Sequence, residues 1–104
     1  MFTTGENADE VYDALGHHLR RESIRFLEEQ PGERTSVSGL VTHLEQRGAT
    51  GDTERVRMQL HHAHLPKLDD LGWLDFESER GEVTYHGHEA AERVLSDMME
   101  TLCE

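Results

Sequence analysis

Apolar side chains recur at helical spacing along most of the chain. Val11, Ala14, Leu15, Leu19, Ile24 and Leu27, with His18 in the stripe and Phe26 at its edge, predict helix from Ala8 to Gln30. Gly16 is expected to divide it in two. Pro31-Gly32 then fits a type II turn, because proline fixes φ and glycine accepts positive φ. Ser36 is a good N-cap for a helix carrying Val37, Leu40, Val41 and Leu44, and Gly48 stops it. After a loop from Gly48 to Asp52, either Asp52 or Thr53 caps a further helix. Its stripe is Val56, Leu60, Ala63, Leu65, Leu68 and Leu71, and Gly72 follows as the C′ residue. Pro66 lies inside this helix, lacks an N–H and crowds the carbonyl of His62, so a kink is expected there.

The pattern changes at Gly72. Trp73, Leu74, Asp75 and Phe76 read as a strand, residues 78–82 as a turn, and Val83, Thr84 and Tyr85 as the returning strand, with Val83 and Tyr85 on one face. A last helix runs from Glu89 to Leu102 with the stripe Ala91, Val94, Leu95, Met98 and Leu102. The expected class is therefore mainly α with a small β-hairpin. Residues 1–7 form a flexible N-terminus and residues 8–104 one domain. Capped helix, tight loop, second helix and hairpin is the layout of a winged helix-turn-helix, in which the second helix enters the major groove and the hairpin reaches the flanking backbone.

Composition changes this picture in one respect. Aspartate and glutamate total 22 against 10 lysines and arginines, a net charge of −12. Only Lys67 is a lysine. The acids are spread among periodic apolar residues, which marks a folded domain with an acidic surface rather than a disordered tail. Many carboxylates and almost no lysine is the look of a protein that works in concentrated salt, where charge is screened within about 3 Å. No apolar run approaches the roughly 20 residues of a membrane helix, and MFTTGENADE has no signal-peptide pattern, so the expected location is cytoplasmic. The one cysteine, Cys103, excludes an intrachain disulfide and a cysteine-rich zinc site.

The segment His64-Leu65-x-x-Leu68-x-x-x-Gly72-Trp73-Leu74, then Arg80-Gly81, then Val83-x-Tyr85, resembles the small ArsR-like winged-helix transcriptional regulators, in particular their short haloarchaeal forms. Upstream, Ala14-Leu15-Gly16-x-x-x-Arg20-Arg21-x-x-Ile24-x-x-Leu27 resembles the opening helices of that family. The likeness covers most of residues 14–86. It implies sequence-selective binding of double-stranded DNA by a homodimer joined through terminal helices. The chain departs from the family in Pro66 within the recognition helix, in the absence of metal-sensing cysteines and in the scarcity of lysine for phosphate contacts.

The residues expected at DNA follow from this architecture. Arg55 and Arg57 can pair with guanine or clamp phosphate, Gln59 can read adenine, and Thr53 can meet a phosphate at the helix start. His61 and His62 extend the same helix, and Arg80 sits at the wing tip. The plain alternative is that these are solvated surface residues in weak ion pairs. Val94, Leu95, Met98, Met99 and Leu102 are the expected dimer seam; packing on the chain's own first helix is the alternative. His61 and His64 share a helix face, yet a zinc site needs three or four converging ligands, so no metal and no cofactor is expected. Cys103, between Glu100 and Glu104, lacks the positive surroundings of a redox thiol. No phosphate loop, nucleophile elbow or HExxH is present, and no enzyme activity is expected. A second class of function stays open: a winged-helix protein-interaction module that does not bind DNA, whose acidic surface docks a basic partner.

Overall fold

The computed structural model describes residues 8–30, 32–48 and 52–102, with side chains placed for residues 9–98 of these. The expected flexible segment 1–7, Pro31, loop residues 49–51, Cys103 and the side chains of Met99 and Leu102 lie outside the described residues. Helix α1 spans Ala8–Ala14 and α2 spans His18–Leu27, with Gly16 in the turn between them. Strand β1, Arg34–Ser36, leads directly into α3, Val37–Gln46. Helix α4, Thr53–Gln59, runs through a π turn at Leu60–His64 into α5, Leu65–Asp70. Strands β2, Leu74–Glu77, and β3, Glu82–Tyr85, precede α6, Glu89–Leu102.

The helix boundaries follow from local hydrogen bonding. The Ser36 hydroxyl accepts from the Gly39 N–H at 2.9 Å, and the Asp52 carboxylate accepts from the Arg55 N–H at 2.8 Å, so Asp52 rather than Thr53 is the cap. Gly72 ends α5 at φ +82°, its N–H bonding the Asp69 carbonyl while the Trp73 N–H reaches the Leu68 carbonyl. That pair of bonds is the Schellman motif, which needs a left-handed residue at this position. Helix α2 ends at Leu27, three residues short of the expected Gln30, because the Gln30 N–H closes a turn on the Leu27 carbonyl.

Two sequence expectations are corrected. The expected two-stranded hairpin is a three-stranded antiparallel sheet of order β1-β3-β2, with Thr35 opposite Val83 and Leu74 opposite Tyr85. Strand β1 is only Arg-Thr-Ser and carries no alternation of apolar residues. Its pairing comes from the exposed edge of β3 and from flanking bonds of Gly32 N–H to Tyr85 O and Val37 N–H to Gly81 O. Ala63, placed in the apolar stripe, is exposed, and His64 is buried in its stead. The π turn causes this. The Leu65 N–H bonds the Leu60 carbonyl five residues back, which rotates the following residues around the helix axis. It falls immediately before Pro66, and widening the turn relieves the clash between the prolyl ring and the carbonyl four residues earlier. The expected kink thus takes the form of a π turn.

The core joins all these elements. Leu15, Ile24, Leu27, Leu40, Leu44, Leu60, Leu65, Leu68, Trp73, Leu74, Val83, Tyr85 and Leu95 are buried together. Helix α6 is attached through Ala91 and Leu95 and through the Tyr85 hydroxyl, which donates to the Glu92 carboxylate at 2.6 Å. Among the described residues, no helix is long and apolar enough to cross a membrane.

Candidate functional site

Helix α4 buries Val56 and, at its end, Leu60, and turns the opposite face outward. Arg55, Met58, Gln59 and His62 are all exposed at positions i, i+3, i+4 and i+7, one stripe along that face. Arg55 has no carboxylate within ion-pair distance among the described residues. Arg57 is half-buried and donates to the Ser38 hydroxyl at 3.1 Å, tying α4 to the first turn of α3. By contrast Arg25 and Arg47 pair with Glu22, Lys67 with Asp13, Arg80 with Glu77 and Arg93 with Glu89.

The other expected contact residues are distributed as follows. The Thr53 hydroxyl donates to the Glu45 carboxylate, so it bridges α4 to the end of α3. Gln59 points to solvent within the stripe. His61 is half-buried, its ring edge-on to Phe76 at 5.1 Å, and His62 lies beside it with ring centroids 5.0 Å apart. Arg80 sits at the turn between β2 and β3, exposed, with Nε 3.9 Å from a Glu77 oxygen, a pair too open and solvated to hold it. Thr53, Arg55, Arg57, Gln59, His61 and His62 therefore share one helix, and Arg80 stands apart on the hairpin.

Hairpin and helix are fixed relative to each other. The Asp69 carboxylate on α5 accepts from the Phe76 N–H on β2 at 2.8 Å. Above this bond lies an open cleft of about 450 Å³ between His61, His62 and Pro66 on one side and Phe76 and Ser78 on the other. Among the described residues no group of three histidine, cysteine or carboxylate side chains is placed to hold a metal ion. His61 and His64, neighbours in sequence spacing, face different surroundings.

His64 belongs to a buried polar cluster behind α4. Its Nδ1 lies 3.1 Å from Arg20 Nη1, and because a guanidinium only donates, Nδ1 is the acceptor and the ring is neutral with its proton on Nε2. Arg20 also donates to the carbonyls of Ala14 and Asp13, the latter at 3.0 Å. The His17 ring packs on His64 at 4.2 Å, and its own Nδ1 accepts from the Leu19 N–H, capping α2. Burial, followed by the charges of His17 and Arg20, pushes the His64 pKa down to about 4. Burial also lowers His17, with Arg20 adding to the effect. The Lys67 ammonium on α5 bonds the Asp13 carboxylate at 2.6 Å and lowers its pKa, a second tie between the α1–α2 elbow and the long helix.

On α6, Leu95 is buried in the chain's own core, while Val94 and Met98 are only partly covered and keep an accessible side. Sequence reading passed over Met58, one of two exposed large hydrophobic side chains among the described residues, the other being Tyr12. The signal was its place at i+3 from Arg55, opposite the buried stripe.

A protein-family model described as "Domain of unknown function (DUF7344)" matches residues 12–84, the span from α1 to β3. No curated protein matches this chain, and no solved structure matches it.

Proposed function

We propose that this chain, which belongs to the DUF7344 family, is a cytoplasmic, homodimeric winged helix-turn-helix regulator that binds double-stranded DNA. In this reading α3 and α4 are the helix pair, α4 with its π turn lies in the major groove, and the β2–β3 hairpin is the wing on the flanking backbone. The likeness of residues 14–86 to ArsR-like regulators belongs to the same proposal.

The observation that carries it is the outward stripe of α4. Arg55 sits there exposed and without a carboxylate partner among the described residues, in a chain whose net charge is −12 and in which Arg25, Arg47, Lys67, Arg80 and Arg93 all lie within ion-pair distance of a carboxylate. An arginine left without a carboxylate at the start of a hydrogen-bonding helix face, in so acidic a protein, favours a ligand rich in acceptors. Base edges and phosphates are such ligands. Val94 and Met98 supply the accessible apolar side of α6 for a second copy. No catalytic, metal or cofactor role is assigned to any side chain.

The net charge of −12 favours a second reading, a winged-helix module that docks a basic protein. Selection from a random duplex library in multimolar KCl separates the two. Enrichment of an inverted-repeat site supports the dimeric regulator. Absence of enrichment by protein that is folded by circular dichroism overturns it in favour of the interaction module.

A further inference from the structure

The proposal that follows rests on the DNA-binding reading above and deepens it. Met58 is 57% exposed near the C-terminal end of α4, where the helix runs on into the π turn. Single exposed apolar side chains are ordinary on protein surfaces. Met58 differs in its surroundings: it lies between Arg55 one turn before it and His62 one turn after it, with Gln59 beside it, all exposed. Every other side chain on that stripe can hydrogen-bond to a ligand. A thioether in that position does not, and it is too flexible and apolar to serve as a phosphate contact.

The major-groove edge of a base pair carries one apolar group, the C5-methyl of thymine. Three residues of α-helix advance about 4.5 Å along the axis, and successive bases of a strand rise about 3.4 Å. A helix lying in the groove therefore sets Met58 one to two base pairs from whatever Arg55 contacts. We infer that Met58 is a specificity residue that packs on the methyl group of a thymine, one or two base pairs from a guanine held by Arg55. The stripe then reads an ordered pattern: donor at Arg55, apolar contact at Met58, and amide and imidazole at Gln59 and His62. Removing one buried methyl group should weaken binding about fourfold.

The test uses the full-length protein and the duplex it selects from a random library in multimolar KCl. Each thymine is replaced in turn by deoxyuridine, which removes only the methyl group. Affinities are measured for the wild type, Met58→Ala and Met58→Leu. The expected result is a loss of about fourfold for the wild type at one thymine within two base pairs of a required guanine. Met58→Ala should bind thymine and uracil duplexes equally, and Met58→Leu should keep the discrimination. Both variants change an exposed position, so folding is retained and is checked by circular dichroism. Equal losses for wild type and Met58→Ala overturn the inference while leaving DNA binding intact. A selected site without thymine in that window does the same. If no duplex is selected at all, this inference and the DNA-binding reading both fall.

Discussion

Arg20 Nη1 lies 3.1 Å from His64 Nδ1, so a permanently charged guanidinium on α2 holds a buried imidazole in the π turn in its neutral form. This bond fastens the elbow between α1 and α2 to the back of the helix whose front carries Arg55 and Met58. It also makes the elbow sensitive to acid. A proton on His64 removes the acceptor and sets a second cation against Arg20, with His17 packed at 4.2 Å. The Asp13 carboxylate, beside the cluster, is engaged by Lys67.

The stability of the fold should therefore depend on pH in a defined window. The His64 pKa is about 4 in the folded protein, against about 6.5 in an unfolded chain. Between these values the unfolded state binds a proton that the folded state refuses. Stability is thus complete above about pH 6.5, falls as the pH is lowered toward 4, and levels off below. His17, also lowered, acts in the same direction. The contribution of His64 is on the order of 3 kcal/mol. Urea titrations from pH 7 to 4 measure it. His64→Gln keeps an acceptor for Arg20 without titrating, and its stability should fall less steeply than that of the wild type. Equal slopes would remove His64 from the account.

Arg20 serves three acceptors on three sides: the carbonyls of Ala14 and Asp13, and His64 Nδ1. A planar fork of five N–H donors can do this, and a single ammonium cannot. Arg20→Lys should destabilise the protein by about 1–2 kcal/mol although charge is conserved, since at least one of the three acceptors is left without its donor. Thermal denaturation at pH 7 tests this, and an unchanged midpoint would count against the clasp.

The Tyr85 hydroxyl donates to Glu92 at 2.6 Å, and Glu92 accepts from the His88 N–H as well at 3.2 Å. The phenol is buried, which together with that carboxylate pushes its pKa upward and keeps it a donor. Tyr85→Phe should cost about 1–3 kcal/mol. The loss should appear locally, as faster hydrogen exchange and proteolysis in α6, because Tyr85 joins that helix to the sheet. A uniform loss across the domain would show that α6 unfolds only with the rest.

Gly72 offers a cleaner backbone test. Its φ is +82°, and a Cβ there would meet nothing within 4 Å. Gly72→Ala should therefore cost about 1–2 kcal/mol through left-handed strain alone, with no change in the surrounding packing. A larger loss, or a changed dependence on denaturant, would point to a disturbed junction between α5 and β2.

These relationships were legible in the sequence to different degrees, for physical reasons. The caps at Ser36 and Asp52, the Schellman glycine at Gly72 and the alternation of Val83 and Tyr85 are local features, and local pattern reveals them. Strand β1 is not local. Arg34-Thr35-Ser36 becomes a strand because β3 leaves an edge for it. The burial of His64 depends on the π turn, which shifts the helical register by one residue, so a stripe drawn at regular spacing names Ala63 instead. Of the candidate site, the grouping of Arg55, Arg57, Gln59, His61 and His62 follows from helical spacing. The engagement of Thr53 with Glu45 and of Arg57 with Ser38 depends on how α3 packs against α4, and periodicity carries no trace of that.

A protein of net charge −12 is repelled by DNA at low ionic strength. Most DNA-binding proteins lose affinity as salt rises, because they neutralise phosphates with many lysines and arginines and release counterions. Here that contribution is small: Arg55, Arg57 and Arg80 are the arginines expected at the DNA, and Arg57 is already engaged by Ser38. Screening the repulsion should then outweigh the counterion loss. Affinity for the selected duplex is expected to hold or rise from about 0.1 M, where the Debye length is about 10 Å, to above 1 M KCl, where it is about 3 Å. Replacing Arg55 and Arg57 together with alanine should abolish selective binding at every salt concentration and leave the protein folded, since the loss is one exposed hydrogen bond from Arg57 to Ser38 and no ion pair among the described residues. Fluorescence anisotropy with a labelled duplex across this range measures both effects. A steep decline with rising salt would mean that phosphate neutralisation, and not base contact by α4, dominates.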